Sequence, residues 1–227
     1  MVKINLLGSY PNPKNKRYVS ENLRTIKHRI VASYRDKEFY DGKRIYGYGG
    51  FKYDGRWKDI AYRICKKYKL NNSSSFLQLS SKKGFLLHDL KTIFPKMKTI
   101  GLETSNYAIN NSMKTIKKNI KKVNNYTSLN FKKNKFDFVL ALGVVYEHGL
   151  DGAISCLKEI QRVSKGNSFI TLGSYKTKNE FWKLRQWTLL GVTILKEKEW
   201  KEVLKHTKYT GDYDFVDAKA LNLVSKK

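Results

Sequence analysis

Residues 76–90 read FLQLSSKKGFLLHDL. Phe76, Leu77 and Leu79 form a short apolar run that stops at Ser80 and Ser81. After Gly84, Phe85, Leu86, Leu87 and Leu90 fall at helical spacing. Strand, tight turn and apolar helix are the opening unit of a nucleotide-binding α/β domain. Such turns usually carry several glycines, because a chain without Cβ atoms can approach a ligand closely. This turn has Ser80, Ser81, Lys82 and Lys83, with Gly84 as its one glycine.

The alternation continues downstream. Pro95 stops the first helix, and residues 99–103 (TIGLE) form a second strand that ends in Glu103. An acid there can accept hydrogen bonds from both hydroxyls of a ribose, or can sit as a carboxylate before a helix N-terminus. Ser105 caps the next helix, with Ala108, Ile109, Met113, Ile116 and Ile120 on its inner face. Residues 123–128 read as a short third strand, 136–142 (FDFVLAL) as a buried strand, 151–163 as a helix and 168–172 as another buried strand. Residues 176–195 form a helix or lid, 198–205 a helix, and 213–216 a final strand set antiparallel at the sheet. The fold class is α/β: a Rossmann-like, doubly wound, mostly parallel sheet. The loops after Leu79, Glu103, Ser128, Leu142 and Leu172 should then meet at one site, outside the carboxyl ends of the strands.

Upstream lies a helical extension with an aromatic-glycine lid, over 1–72; the Rossmann-like domain occupies 73–227. Residues 1–19 read as irregular. Ser20 can cap a helix whose stripe is Leu23, Ile26, Ile30 and Tyr34. Residues 38–57 (EFYDGKRIYGYGGFKYDGRW) alternate five glycines with seven aromatic residues, a pattern of neither helix nor ordinary strand. It suits a lid or pocket wall whose aromatics close over a ligand. Residues 57–68 are a clean amphipathic helix.

The 227 residues suffice for one domain with a real core. Net charge is +27, from 46 Lys+Arg against 19 Asp+Glu. Such a field attracts nucleic acid, anionic membranes or anionic substrates. The chain is also rich in Lys, Asn, Ile and Tyr together, as AT-rich coding DNA produces, and its lysines are scattered in short clusters. With no arginine-rich arm or aromatic-basic motif, compositional bias outranks nucleic-acid binding. No apolar run is long enough to span a bilayer, and the first residues lack a signal-peptide pattern, so a cytoplasmic location is expected. Cys65 and Cys156 fall on apolar helix faces, as buried thiols do. The four histidines lack metal-ligand spacing, and no metal is expected.

The order of these features resembles the class I S-adenosylmethionine-dependent methyltransferases, over residues 38 to about 217. LQLSSKKGF (77–85) stands where that family's first loop reads approximately LDxGCxKGF. GLETSNYAI (101–109) stands for its ribose motif, GxDxSxxAI. NNYTSLNF (124–131) and FDFV (136–139) stand for the adenine loop and fourth strand. LKEIQRVSKG (157–166) matches as well, and the aromatic-glycine segment and YTGDYDF (209–215) resemble one bacterial subgroup. The resemblance implies S-adenosylmethionine as cofactor, held by Gln78, Ser80, Lys82, Gly84, Glu103, Thr104, Asn125, Tyr126 and Leu142. It implies a small-molecule methyl acceptor. Tyr146, Glu147 and His148, after the fourth strand, are the candidates for a general base; Tyr46, Tyr48 and Arg56 are candidates for holding substrate. The chain departs from the family at Gln78, where an acid is usual, and at Ser80 and Lys82, where small residues are usual. Either Lys82 pairs with the methionine carboxylate in a modified site, or the protein is a non-catalytic relative that has lost the cofactor and serves as a binding or assembly partner. The basic surface suits an anionic acceptor such as a sugar phosphate or a carboxylated metabolite.

Overall fold

A computed structural model of the chain describes residues 1–8, 10 and 13–226; positions 9, 11 and 12 of the amino-terminal stretch lie outside the described residues. In chain order the elements are β1 (Arg17–Val19), α1 (Ile26–Ser33), α2 (Lys37–Tyr40), α3 (Trp57–Tyr68), β2 (Ser75–Leu79), α4 (Phe85–Ile93), β3 (Lys98–Glu103), α5 (Asn106–Asn110), β4 (Ile120–Lys122) and β5 (Phe138–Ala141). They continue with α6 (Leu150–Val163), β6 (Ser168–Tyr175), α7 (Lys178–Trp187), β7 (Leu195–Lys196), α8 (Glu197–His206), β8 (Asp212–Val216) and β9 (Leu223–Ser225).

The main sheet runs β4-β3-β2-β5-β6, with β7 and β8 both paired to β6, and every pairing is parallel. From β2 the chain winds outward through β3 and β4, then returns to place β5 on the other side of β2. The switch point therefore lies between the carboxyl ends of β2 and β5, where an open parallel sheet leaves a crevice. Side chains alternate across the sheet. Leu77, Leu79, Val139 and Ala141 pack on one face with α6 and α8, through Leu157, Trp200 and Leu204. Phe76, Phe138 and Leu140 pack on the other with α3 and α4, through Ile60, Ile64 and Leu87. Burying each such side chain contributes about 2 kcal/mol.

The extension shares this core. Leu6 and Leu7 join the cluster of α3, α4 and the sheet. Residues 2–4 hydrogen-bond the open edge of β8, with Ile4 N donating to Tyr213 O at 2.9 Å and Tyr213 N to Val2 O at 3.1 Å. Pairing covers an edge that would otherwise invite other chains. β1 pairs β9 in a separate two-stranded sheet.

Several expectations are corrected. β8 is parallel to β6, because α7 and α8 together return the chain to the amino end of the sheet. The helix expected through Ile120 stops at Asn110, where Asn110, Asn111 and Ser112 form helix poorly. Met113 N then bonds Lys83 O at 3.0 Å, a 3-10 turn covers Lys114–Asn119, and the third strand of the order is Ile120–Lys122, not 123–128. The first helix begins at Ile26 with Thr25, not Ser20, at its cap. It is eight residues long and seats Ala32, so Ile26, Ile30 and Tyr34 face solvent at 72%, 48% and 67% exposure. Within the aromatic-glycine segment, Glu38, Phe39 and Tyr40 belong to the short helix α2. Cys65 and Cys156 are buried, which pushes their thiols up to about 11 and about 12. Among the described residues no helix is long and apolar enough to cross a membrane.

Candidate functional site

A cavity of about 940 Å³ lies at the carboxyl ends of the strands. Its sheet side is Lys82 after β2, Leu142 and Gly143 after β5, and Thr171 and Gly173 of β6. Tyr48 and Phe51 of the aromatic-glycine segment cover it, and Trp187 at the end of α7 lines it. The loops after β2 and β5 meet there beside β6 itself, whereas the loops after Glu103 and Ser128, expected at the same site, lie off the cavity.

The loop after β2 keeps a glycine-like path without its glycines. Ser80, Lys82 and Gly84 have φ of 51°, 54° and 75°, all left-handed. For Ser80 and Lys82 this conformation costs about 1–2 kcal/mol each. Gly84 is required twice over: its φ is positive, and a Cβ there would lie 2.2 Å from Ile116 Cδ1. Glu103 holds the strained loop in place. One carboxylate oxygen accepts from Lys82 N at 2.7 Å, and the other from Thr104 N and Ser105 N, each at 2.9 Å. Glu103 is 0% exposed. The carboxylate expected on a ribose is thus bonded to the protein's own backbone.

The aromatic-glycine segment is fastened to this loop. Asp41 bonds Lys83 Nζ at 2.6 Å and Tyr107 OH at 2.7 Å, and accepts from Phe51 N at 2.9 Å. This latch ties residues 41–51 to the loop after β2 and to α5. Tyr40 is fully buried and stacks on Tyr48 and Tyr107, with ring centroids 5.8 and 6.1 Å away. Phe51 stacks on Phe85 at 4.8 Å. Ser105 Oγ donates to Arg35 O, and the Arg35 guanidinium pairs with Glu147 at 2.6 Å.

The expected cofactor residues therefore separate. Lys82 and Leu142 line the large cavity, whereas Ser80, Gly84, Glu103, Thr104, Asn125 and Tyr126 lie off it. Asn125 is exposed and its Oδ1 accepts from Thr127 N and Ser128 N, while Tyr126 is buried. Gln78 borders a small void of about 20 Å³ beside Ser81 and Phe85, and its buried Oε1 has no partner. Of the base candidates, Glu147 and Tyr146 line the cavity and His148 does not. Burial pushes the Glu147 carboxyl up, against the pull of Arg35. Burial also raises the Tyr146 phenol and lowers His148. Tyr48 and Arg56 line the cavity, Arg56 paired with Asp54; Tyr46 instead lies against His28, rings 5.5 Å apart.

Sequence reasoning missed a second group on the same cavity: Arg17, Arg24 and Arg44, gathered on Trp187. One signal was present. The chain has nine arginines among its 46 basic residues, and five of them (Arg17, Arg24, Arg44, Arg56, Arg63) line this cavity. In a lysine-biased chain, arginine marks positions where a planar guanidinium is needed.

A doubly wound parallel sheet with this strand order, and a crevice at the switch point, is a Rossmann-like α/β fold. Residues 77–172 match the family model described as a methyltransferase domain. The YcgJ protein from Bacillus subtilis superposes with a TM-score of 0.52 at 13% identity, over 65% of this chain and 66% of that one. A putative methyltransferase from Bacillus halodurans C-125 gives 0.51 at 11%, over 65% and 67%. The [4+2]-cyclase SpnF gives 0.53 at 14%, over 66% and 57%. The match thus spans just under two thirds of the YcgJ chain and less of SpnF. At these identities the likeness is one of fold, and a cyclase among the neighbours shows that the fold alone does not set the reaction. No curated protein matches the sequence.

The donor set suits the amino-acid end of S-adenosylmethionine. Lys82 is half-buried with no ion pair among the described residues, and the orphaned Gln78 Oε1 adds an acceptor nearby. Glu103, the carboxylate expected at the ribose, is fully buried.

Proposed function

We propose that the protein transfers a methyl group from S-adenosylmethionine to a small, anionic acceptor, a metabolite or a sugar. The observation that carries this reading is the cavity of about 940 Å³ that joins Lys82 of the cofactor loop to Glu147 at the switch point. Bound there, the cofactor supplies an electrophilic methyl group, whose transfer depends chiefly on proximity and orientation. Lys82 and Gln78 hold its amino-acid end. Glu103 and the loop backbone serve its ribose once the Asp41 latch releases residues 41–51. Glu147, whose basicity burial raises, takes the proton of a hydroxyl acceptor. Tyr48 and Arg56 line the space left for that acceptor.

Calorimetric titration of the intact protein with S-adenosylmethionine and S-adenosylhomocysteine tests this. Binding is expected, and tighter binding in Asp41→Asn, where the latch is loosened. Absence of binding at millimolar ligand in both proteins overturns it.

One observation favours a second reading, a non-catalytic relative acting as a binding or assembly partner: Glu103 is saturated by three backbone N–H groups and 0% exposed. On that reading Gln78→Asp, Ser80→Gly and Lys82→Gly together create cofactor binding that the natural protein lacks. Tight binding by the unaltered protein removes this alternative.

A further inference from the structure

Three arginines converge on one indole. The guanidinium carbons of Arg24, Arg17 and Arg44 lie 4.3, 5.1 and 5.3 Å from the centroid of Trp187. They come from separate parts of the chain: Arg17 from β1, Arg24 from the turn before α1, Arg44 from the aromatic-glycine segment, and Trp187 from the end of α7. All four line the large cavity. The group exists only in the folded protein, so neighbouring sequence cannot account for it.

Like charges gathered this closely repel one another, and proteins normally place carboxylates among them. Here none of the three arginines pairs with an acid among the described residues. Arg24 donates to Trp187 O and Arg44 to Gly47 O, backbone acceptors that carry no net charge. Arg24 is 7% exposed, and its Nε is buried without a partner. Burial, then Arg44 and Arg17, push its guanidinium down to about 9, a strained value for a group normally above 12. The cavity as a whole carries eight cationic side chains against Asp59 and Glu147. Unbalanced positive charge together with an unsatisfied buried donor is the electrostatics of an anion-binding site.

We infer that Arg17, Arg24 and Arg44, set on Trp187, form a binding site for a phosphoryl group, and that the ligand of this cavity is a phosphorylated small molecule. That the ligand is also the methyl acceptor rests on the methyltransferase reading above; the phosphoryl site does not. Two features select this chemistry. A carboxylate is matched by a single guanidinium in a two-point contact, whereas three guanidiniums suit the dianionic charge and three terminal oxygens of a phosphoryl group. A cavity of about 940 Å³ has the size of a small-ligand pocket, not of a groove for a nucleic-acid duplex. Bound phosphate also relieves the repulsion among the arginines, so binding stiffens residues 17–44 against α7.

The test is calorimetry on the intact protein without cofactor, at physiological salt. The probes are inorganic phosphate, glucose 6-phosphate, uridine diphosphate, glucose and gluconate. Binding by the phosphorylated probes is expected, with glucose and gluconate at least about tenfold weaker, the discrimination that one lost charge-assisted hydrogen bond produces. Arg17→Gln and Arg44→Gln, at half-buried and exposed positions, should each weaken glucose 6-phosphate at least about tenfold. Arg24→Gln should abolish binding; because Arg24 is buried, its circular dichroism is compared with wild type, and the other two variants decide the matter if it fails to fold. Lys117→Gln with Lys118→Gln, which removes two charges off the cavity, should leave binding unchanged.

Equal binding of glucose 6-phosphate and glucose overturns the inference. So does wild-type affinity in Arg17→Gln and Arg44→Gln, or an equal loss in the lysine variant, which would mark the general field of a +27 chain. Arg44-dependent binding of an RNA oligonucleotide that the phosphorylated probes do not displace also overturns it. Titration with S-adenosylmethionine is read separately. Its failure removes the methyl-transfer reading and leaves the phosphoryl site standing, while failure of the phosphorylated probes does the reverse.

Discussion

The two ends of the crevice are built on opposite principles. Around the loop after β2 the charged groups Glu103, Asp41 and Lys83 have partners within the protein. Lys82 alone of the loop's charges faces the cavity without an ion pair among the described residues. Glu103 has three backbone donors, Asp41 has Lys83, and Arg35 has Glu147. At the arginine end, Arg17, Arg24 and Arg44 gather on Trp187 with no acidic partner among the described residues. A fold gains stability by the first arrangement and loses it by the second. An unfavourable arrangement of this kind is tolerable where a bound anion offsets it, which is the case the inferred phosphoryl site makes. Variants can break this contrast from either side.

The largest effect is expected at Glu103. Replacing it by Ala leaves the amides of Lys82, Thr104 and Ser105 without their acceptor and releases the left-handed turn at Ser80 and Lys82. Because bonds to a charged group are the strong ones, the loss should be about 3 kcal/mol or more, read from denaturant unfolding. A loss below about 1 kcal/mol would mean that the loop holds its path unaided, and the cofactor end would not be the rigid one.

Asp41→Asn comes next. It leaves Lys83, whose side chain is 9% exposed, without its counter-ion, at a cost of about 2 kcal/mol in a site screened by some solvent. Amide exchange over residues 41–51 should quicken while exchange in β2 and β5 stays slow. Acid should act in the same way. Burial raises the Asp41 carboxyl, but the bonds from Lys83, Tyr107 and Phe51 outweigh it, so the folded value lies below the ordinary 3.8. A depressed carboxyl contributes stability above its unfolded pKa and loses it as pH falls through the folded value. The latch should therefore hold at neutral pH and release only in strong acid. Lid exchange that changes between pH 6 and 8 would point to another group.

Glu147 should show the opposite sign and a smaller effect. Its folded pKa is raised, so the folded protein binds the proton more tightly than the unfolded chain. Stability then falls as pH rises from the ordinary carboxyl value of 4.5 toward the folded one. Glu147→Gln should flatten that fall, measured as the slope of unfolding free energy against pH. An unchanged slope would assign the titration elsewhere and weaken Glu147 as a base.

How much of this was legible beforehand follows the same division. The strand–turn–helix at 76–90 and Glu103 at the end of the second strand are local patterns, and local patterns survive in sequence. The sheet, its switch point and the place of the cofactor loop could be read from them. That Glu103 bonds Lys82 N is a consequence of the turn closing back on β3, which no spacing reveals. The parallel setting of β8 depends on how far α7 and α8 carry the chain. The stripe of Ile26, Ile30 and Tyr34 has helical period, yet period alone does not say which face meets the core, and α1 seats Ala32 instead. The arginine group was least legible: residues 17, 24, 44 and 187 meet only through the tertiary fold, and a lysine-rich background hides them.

The smallest effect makes the finest cut between the two ends. Ser80 and Lys82 share a left-handed conformation, with φ of 51° and 54°, so glycine at either should relieve similar strain. Glycine also loses more freedom on folding, and the two contributions nearly offset. Ser80→Gly and Lys82→Gly should each change stability by no more than about 1 kcal/mol, toward the stable side. Their effects on ligands should differ. Ser80 lies off the cavity, so Ser80→Gly should change neither phosphate nor cofactor binding unless the lid opens. Lys82 lines the cavity, so Lys82→Gly should weaken S-adenosylhomocysteine several-fold while leaving inorganic phosphate bound at the arginines. If Lys82→Gly weakens phosphate as much as Arg44→Gln does, the two ends are one anion site, and the contrast drawn between them does not hold.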